Sequence, residues 1–136
     1  MTKRDGRSML KLAGWLILVG FYIFAGFNHF RDPDFYYPLI PPYLPFPELI
    51  NTAAGIFEIA FGMALIFTPT RRLGAILIVL MLIAFIPAHV YFIELGGCLS
   101  EGLCVPAWVA WVRLIIIHPL LIWWAWSYRN YKPTTA

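Results

Sequence analysis

The stretch Leu73–Ile93, LGAILIVLMLIAFIPAHVYFI, decides the fold class. It contains no Lys, Arg, Asp or Glu, and a spanning helix needs about 20 mostly apolar residues. It lacks the period-two alternation of a barrel strand, so a helix is the reading. Three other stretches share its character. Spans are predicted over residues 10–30, 49–67, 73–93 and 106–128. The expected fold is all-α, an integral membrane four-helix bundle, with residues 1–136 forming a single transmembrane domain. Composition agrees. The chain is 61% hydrophobic and 12% charged, against about 25% charged in soluble domains. Ten Lys/Arg and seven Asp/Glu cannot coat a soluble core, which excludes soluble globular, disordered and nucleic-acid-binding chains. The first span could pass for a secretory signal, but it has no small-x-small cleavage site before a soluble domain and is read as retained.

The basic residues orient the spans. Lys3, Arg4, Arg7 and Lys11 precede or open the first span, Arg71 and Arg72 lie in the turn after the second, and Arg129 and Lys132 follow the fourth. The two other loops hold only Arg31, and Arg113 lies within a span. By the positive-inside rule both termini are expected in the cytoplasm, in a multi-pass protein of the bacterial inner membrane. The first outer loop, RDPDFYYPLIPPYLPFPE (Arg31–Glu48), carries six prolines. That density argues against regular helix and favours a stiff apolar segment over the outer mouth. A segment resting among lipid headgroups is the alternative.

Ionisable side chains at bilayer depth cost about 2.5–3.5 kcal/mol each on insertion scales, so they need partners and usually a function. Glu58 is expected about 13 Å below the start of the second span and Arg113 about 10 Å below the start of the fourth, at 1.5 Å per residue. His89 sits near the outer end of the third span, and Asn28 and His29 at the outer end of the first. One polar group from each helix, all in the outer half, points to a shared pocket. Gly55, Glu58 and Gly62 share one helix face, and small residues allow close approach of membrane helices. The alternative is a Glu58–Arg113 ion pair that only fixes helix register. His89 could equally be a neutral imidazole bonded to a carbonyl freed by a proline, since Pro87 frees that of Ile83. His118 is expected to hydrogen-bond across helices. Three histidines and a glutamate could in principle ligate zinc, iron or haem. No HxxxH or ExxH spacing occurs, and Arg113 would repel a cation, so no metal ligands are assigned.

Cys98 and Cys104 lie in the second outer loop, LGGCLSEGLCVP. An even pair on an oxidising face suggests a disulfide. It would be a staple over a short loop or, alternatively, a redox dithiol.

The runs AGFNHFRDPDFYYPLIPPYLPFPELI, GIFEIAFGMALIFTPTRRLGA, PAHVYF and WVRLIIIHPLLIWWAW together resemble the DoxX-like family of small bacterial membrane proteins. The resemblance spans roughly Ala25 to Trp126. It implies a four-helix inner-membrane protein, some of whose relatives are linked to quinone-dependent sulfur oxidation or to thiol and oxidative-stress assemblies. The expected function is an outward-opening pocket of Glu58, His89, Arg113, His29 and Asn28 that binds a quinone or similar amphipathic molecule in a redox-linked process. Two other classes stand beside it: a non-catalytic subunit or scaffold for a periplasmic or membrane redox partner, and a small-molecule transporter working as a homo-oligomer in the lipid bilayer.

Overall fold

A computed structural model describes residues 6–133, all-helical and without strands. Lys3 and Arg4 of the basic start lie outside the described residues. Helix α1 runs Gly6–Arg31, α2 Pro33–Tyr36, α3 Pro47–Ala64, α4 Thr68–Ala84, α5 Ile86–Glu94, α6 Ala107–Val112 and α7 His118–Ser127. A 3-10 turn, Tyr37–Leu39, follows α2, and a π turn, Arg113–Ile117, joins α6 to α7. Three of the helical runs are long and apolar enough to cross a membrane: Gly6–Arg31, Thr68–Glu94 and Ala107–Ser127.

The second predicted span is not among them. Helix α3 has 18 residues and carries Glu48, Asn51 and Glu58. Asn51 and Glu58 are buried, whereas Glu48 in the first turn is exposed. Asn51, Ala54, Gly55, Glu58 and Gly62 are its buried residues, on the stripe that packs along α1. At this crossing a Cβ added to Gly26 would stand 2.6 Å from the Gly55 carbonyl oxygen, and one added to Gly55 would stand 2.8 Å from the His29 Cβ. Only glycine at both positions permits this approach.

The proline-rich loop departs from its expected irregularity. Pro33 opens α2 and Pro38 lies in the 3-10 turn. Proline suits the first turn of a helix, where its missing N–H would be unpaired anyway. A density of prolines therefore excludes a long helix here but allows short ones.

Two further breaks follow from proline. Helices α4 and α5 part at Phe85, whose N–H bonds back to Met81 and Leu82. Pro119 cannot donate to the Ile115 carbonyl, and the turn just before it is wound as π. The apolar core lies towards the end where α3 meets α4, around Leu18, Tyr22, Leu65, Ile78, Leu82 and Ala125. A smaller cluster of Phe92, Leu99 and Ala110 supports the loop at the other end.

That loop, Leu95–Pro106, is a tight hairpin. Leu99 N–H donates to Leu103 and Val105 N–H to Gly97. Gly97 has φ +83°, and a Cβ there would meet the Val105 carbonyl oxygen at 2.7 Å, so only glycine fits. Cys98 and Cys104 pair as an isolated bridge at disulfide distance.

Candidate functional site

Beyond the apolar core, towards the proline-rich loop, the helices separate around a cavity of about 180 Å³. An engineered apolar cavity of roughly 150 Å³ holds benzene, so this one has room for a single substituted ring. Its walls are mostly apolar, from Leu39, Pro41, Leu44, Ala54, Phe85 and Phe92. Five side chains bring polar chemistry: His29 from α1, Asn51 and Glu58 from α3, His89 from α5 and Arg113 from the π turn. Tyr36 covers them from α2.

The Gly26–Gly55 crossing builds one wall. Tyr22, Gly26 and His29 follow one another at helical spacing on α1, as Asn51, Gly55 and Glu58 do on α3. Backbone contact at the glycines therefore sets His29 against Asn51 and Glu58. Asn51 Nδ2 donates to the His29 carbonyl at 2.9 Å, and the Asn51 Oδ1 lies 2.6 Å from His29 Nδ1. A carbonyl only accepts, so the amide cannot be flipped, and its oxygen must receive the Nδ1–H. The Nε2 of His29 then faces Glu58 Oε2 at 3.4 Å. Tyr36 stacks on the face of this imidazole, ring centroids 3.8 Å apart. Burial pushes the Tyr36 phenol above its usual range; Glu58 adds to the rise and Arg113 opposes it. The phenol thus lies within the fields of both.

Among the described residues the remaining polar atoms are under-partnered. Glu58 Oε2 is buried without a hydrogen bond, as is the Tyr22 hydroxyl. Arg113 and His89 make no side-chain hydrogen bond or ion pair. The close charge contact of Glu58 is with His29, not with Arg113 as the register-fixing alternative supposed. At the α4–α5 break it is His118, not His89, that bonds a carbonyl: its Nε2 donates across helices to Leu82 at 2.6 Å. His89 instead meets His118 edge-on, centroids 4.6 Å apart, and lines the cavity without a side-chain hydrogen bond among the described residues. Asn28 is half-buried on α1 and does not line the cavity. No group of three His, Cys, Asp or Glu side chains converges as metal ligands would, among the described residues.

Sequence reasoning missed Asn51 and Tyr36. Asn51 carried a signal, because it stands two helical turns before Glu58 on the glycine-bearing face. Tyr36 carried none, since a tyrosine in an apolar loop has many roles.

At the opposite end Arg71 contrasts with Arg113. It is 2% exposed, and its guanidinium donates to the carbonyls of Leu65, Ile66 and Tyr131. It also lies 5.0 Å from the Trp15 ring centre.

Comparison with curated proteins and with solved structures finds no match. A family model does match, described as a domain of unknown function (DUF8561), over residues 18–129. This overturns the DoxX-like resemblance. A glycine-lined glutamate helix, a proline-rich loop and a paired-arginine turn are solutions open to any small helical membrane protein, so those motifs were not diagnostic. With most of its length matched, the chain belongs to the family of the domain of unknown function DUF8561.

Proposed function

We propose that this protein is a membrane-embedded binder of a small amphipathic molecule whose oxygen-bearing ring enters the cavity beneath Tyr36. The observation that carries the reading is Arg113, a half-buried guanidinium with no side-chain partner among the described residues, beside a ring-sized hollow that also holds His89 and the buried, unbonded Glu58 Oε2. Buried polar groups are normally satisfied. Groups left open around a cavity suit a ligand that completes them. Walls that are mostly apolar, with few convergent polar groups, are the usual makeup of a small-molecule site. A quinone headgroup has the right size and acceptor oxygens, and its tail would lie outside, between helices or in lipid. Redox use of such a ligand is part of the proposal.

In this reading four helical rods cross the bacterial inner membrane as one domain, with α3 as the fourth, its polar stripe hidden against α1. The excess of Lys and Arg near the termini and Arg71 puts that end in the cytoplasm, and the cavity opens outward. The cysteine pair then lies on the oxidising side, where it staples the hairpin. Mass spectrometry of protein extracted gently from membranes tests the site. Wild type is expected to carry a small amphipathic molecule that Glu58→Gln and Arg113→Ala lose. Equal content in all three proteins would overturn it.

A further inference from the structure

The hydrogen-bond pattern around His29 allows the charge of the cavity to be counted. Asn51 fixes the proton on Nδ1 of His29, so in the neutral ring Nε2 presents a lone pair to Glu58 Oε2 at 3.4 Å. A lone pair facing an ionised carboxylate at this distance is repulsive, and both side chains are buried, so solvent screens the repulsion weakly. Protonating both groups would place a second positive charge in a cavity that already holds Arg113. The favoured state has one proton between Nε2 and Oε2, as neutral imidazole with carboxylic acid or as imidazolium with carboxylate. Either way the pair is neutral. Asn51 is the positioning residue that imposes this arrangement.

The other titratable groups facing the cavity do not change the count. Tyr36 is a phenol held neutral, and burial raises it further. His89 shares the space with Arg113 and lies against His118, whose Nε2–H is committed to the Leu82 carbonyl. A second cation there would be repelled by Arg113. This leaves Arg113 as a net charge of about one at a hollow whose other polar groups sum to no charge, with no acidic partner at ion-pair distance among the described residues. An uncompensated charge at such depth favours a counterion.

We infer that the cavity selects a monoanionic amphiphile, a ring carboxylate or phenolate held by the Arg113 guanidinium with its ring against the apolar wall. This rests on the cavity being a ligand site and narrows the ligand class, favouring an ionised ring over a neutral quinone. Planar two-point hydrogen bonding explains an arginine in this place, because its fork matches a carboxylate better than a lysine ammonium does.

The test uses benzoate and its neutral isostere benzamide as probes on the detergent-solubilised full chain, with binding followed by calorimetry near pH 7. Benzoate is expected to bind about tenfold or more tighter than benzamide. Arg113→Gln should abolish the preference, and Arg113→Lys should restore part of it. Equal affinity for the two probes would overturn the charge assignment and leave the small-molecule reading intact. A benzoate preference that persists in Arg113→Gln would also overturn it, by showing that another group supplies the charge. Failure of both probes to bind wild type would overturn it as well. The wider reading fails separately, on the membrane-extracted content of wild type.

Discussion

Arg71 and Arg113 are both drawn away from water, at opposite ends of the same set of helices, and the protein treats them differently. Arg71 is enclosed by the carbonyls of Leu65, Ile66 and Tyr131, with the Trp15 face beside it. It sits where α3 ends and its last carbonyls have no intrahelical donor, which is where a cation is most favourable. Arg113 opens a π turn beside a cavity and finds no comparable enclosure. A saturated arginine is part of the fold. An open one is, in the proposed reading, part of a site. The two differ in burial, Arg71 enclosed and Arg113 half-buried, and they differ above all in their partners.

The largest effect follows from breaking the saturated end. Arg71→Met leaves the Ile66 and Tyr131 carbonyls without their donor, whereas Leu65 keeps the Trp15 indole at 3.0 Å. A fully buried group left unpaired costs about 1–3 kcal/mol; these two carbonyls are part-buried, so a combined loss approaching about 3 kcal/mol is expected from thermal melts in detergent. Arg71→Lys should recover only part, because an ammonium cannot reach three divergent carbonyls at once.

At the cavity end, replacing Cys98 and Cys104 together by Ser should cost about 2–3 kcal/mol by loop-closure arithmetic. As a staple, the pair should be dispensable for ligand content. A melting temperature unchanged by the double substitution would show that the Gly97 and Leu99 hydrogen bonds suffice to hold the hairpin.

Gly55→Ala probes how the two ends are joined. Its new methyl would stand 2.8 Å from the His29 Cβ and 2.9 Å from the Gly26 carbonyl oxygen. Neither is the loose end of a flexible chain. Spreading α1 from α3 should cost about 1–3 kcal/mol and draw His29 away from Asn51, visible as altered imidazole nitrogen shifts in magnetic resonance spectra. Stability lost without a change at His29 would mean that the crossing does not position the site.

The smallest effect belongs to Phe46, which enters α3 at φ 59° and is largely exposed. The left-handed region costs a non-glycine residue about 1–2 kcal/mol, and glycine would return part of that to chain entropy. Phe46→Gly is expected to gain no more than about 1 kcal/mol in the same melts. A clear loss would show that the Phe46 ring anchors the loop.

Much of this was legible in the residues and some was not, for physical reasons. The apolar runs announced long helices because lipid demands internally bonded backbone, and Glu58, His89 and Arg113 stood out because charge is costly at depth. The meaning of Arg71 was hidden. A basic residue in a short turn looks the same in sequence whether it faces water or caps the helix before it. The α4–α5 break and the π turn depended on where freed carbonyls found donors, which links His118 to Leu82 across helices. Proline positions gave the neighbourhood of each break and not the bonding. The short helix Pro33–Tyr36 shows the same limit, since proline both ends helices and begins them.

The most direct measurement sets Arg113→Met beside Arg71→Met, recording melting temperature and co-purified small molecules for both. If Arg113 is held open for a ligand, Arg113→Met should melt within about 1 kcal/mol of ligand-free wild type or above it, because removing a half-buried charge without a partner forfeits no ion pair and relieves part of a desolvation cost. It should also come out of the membrane empty, while Arg71→Met is strongly destabilised. An Arg113→Met protein that melts as early as Arg71→Met, or that retains the wild-type ligand content, would contradict the account.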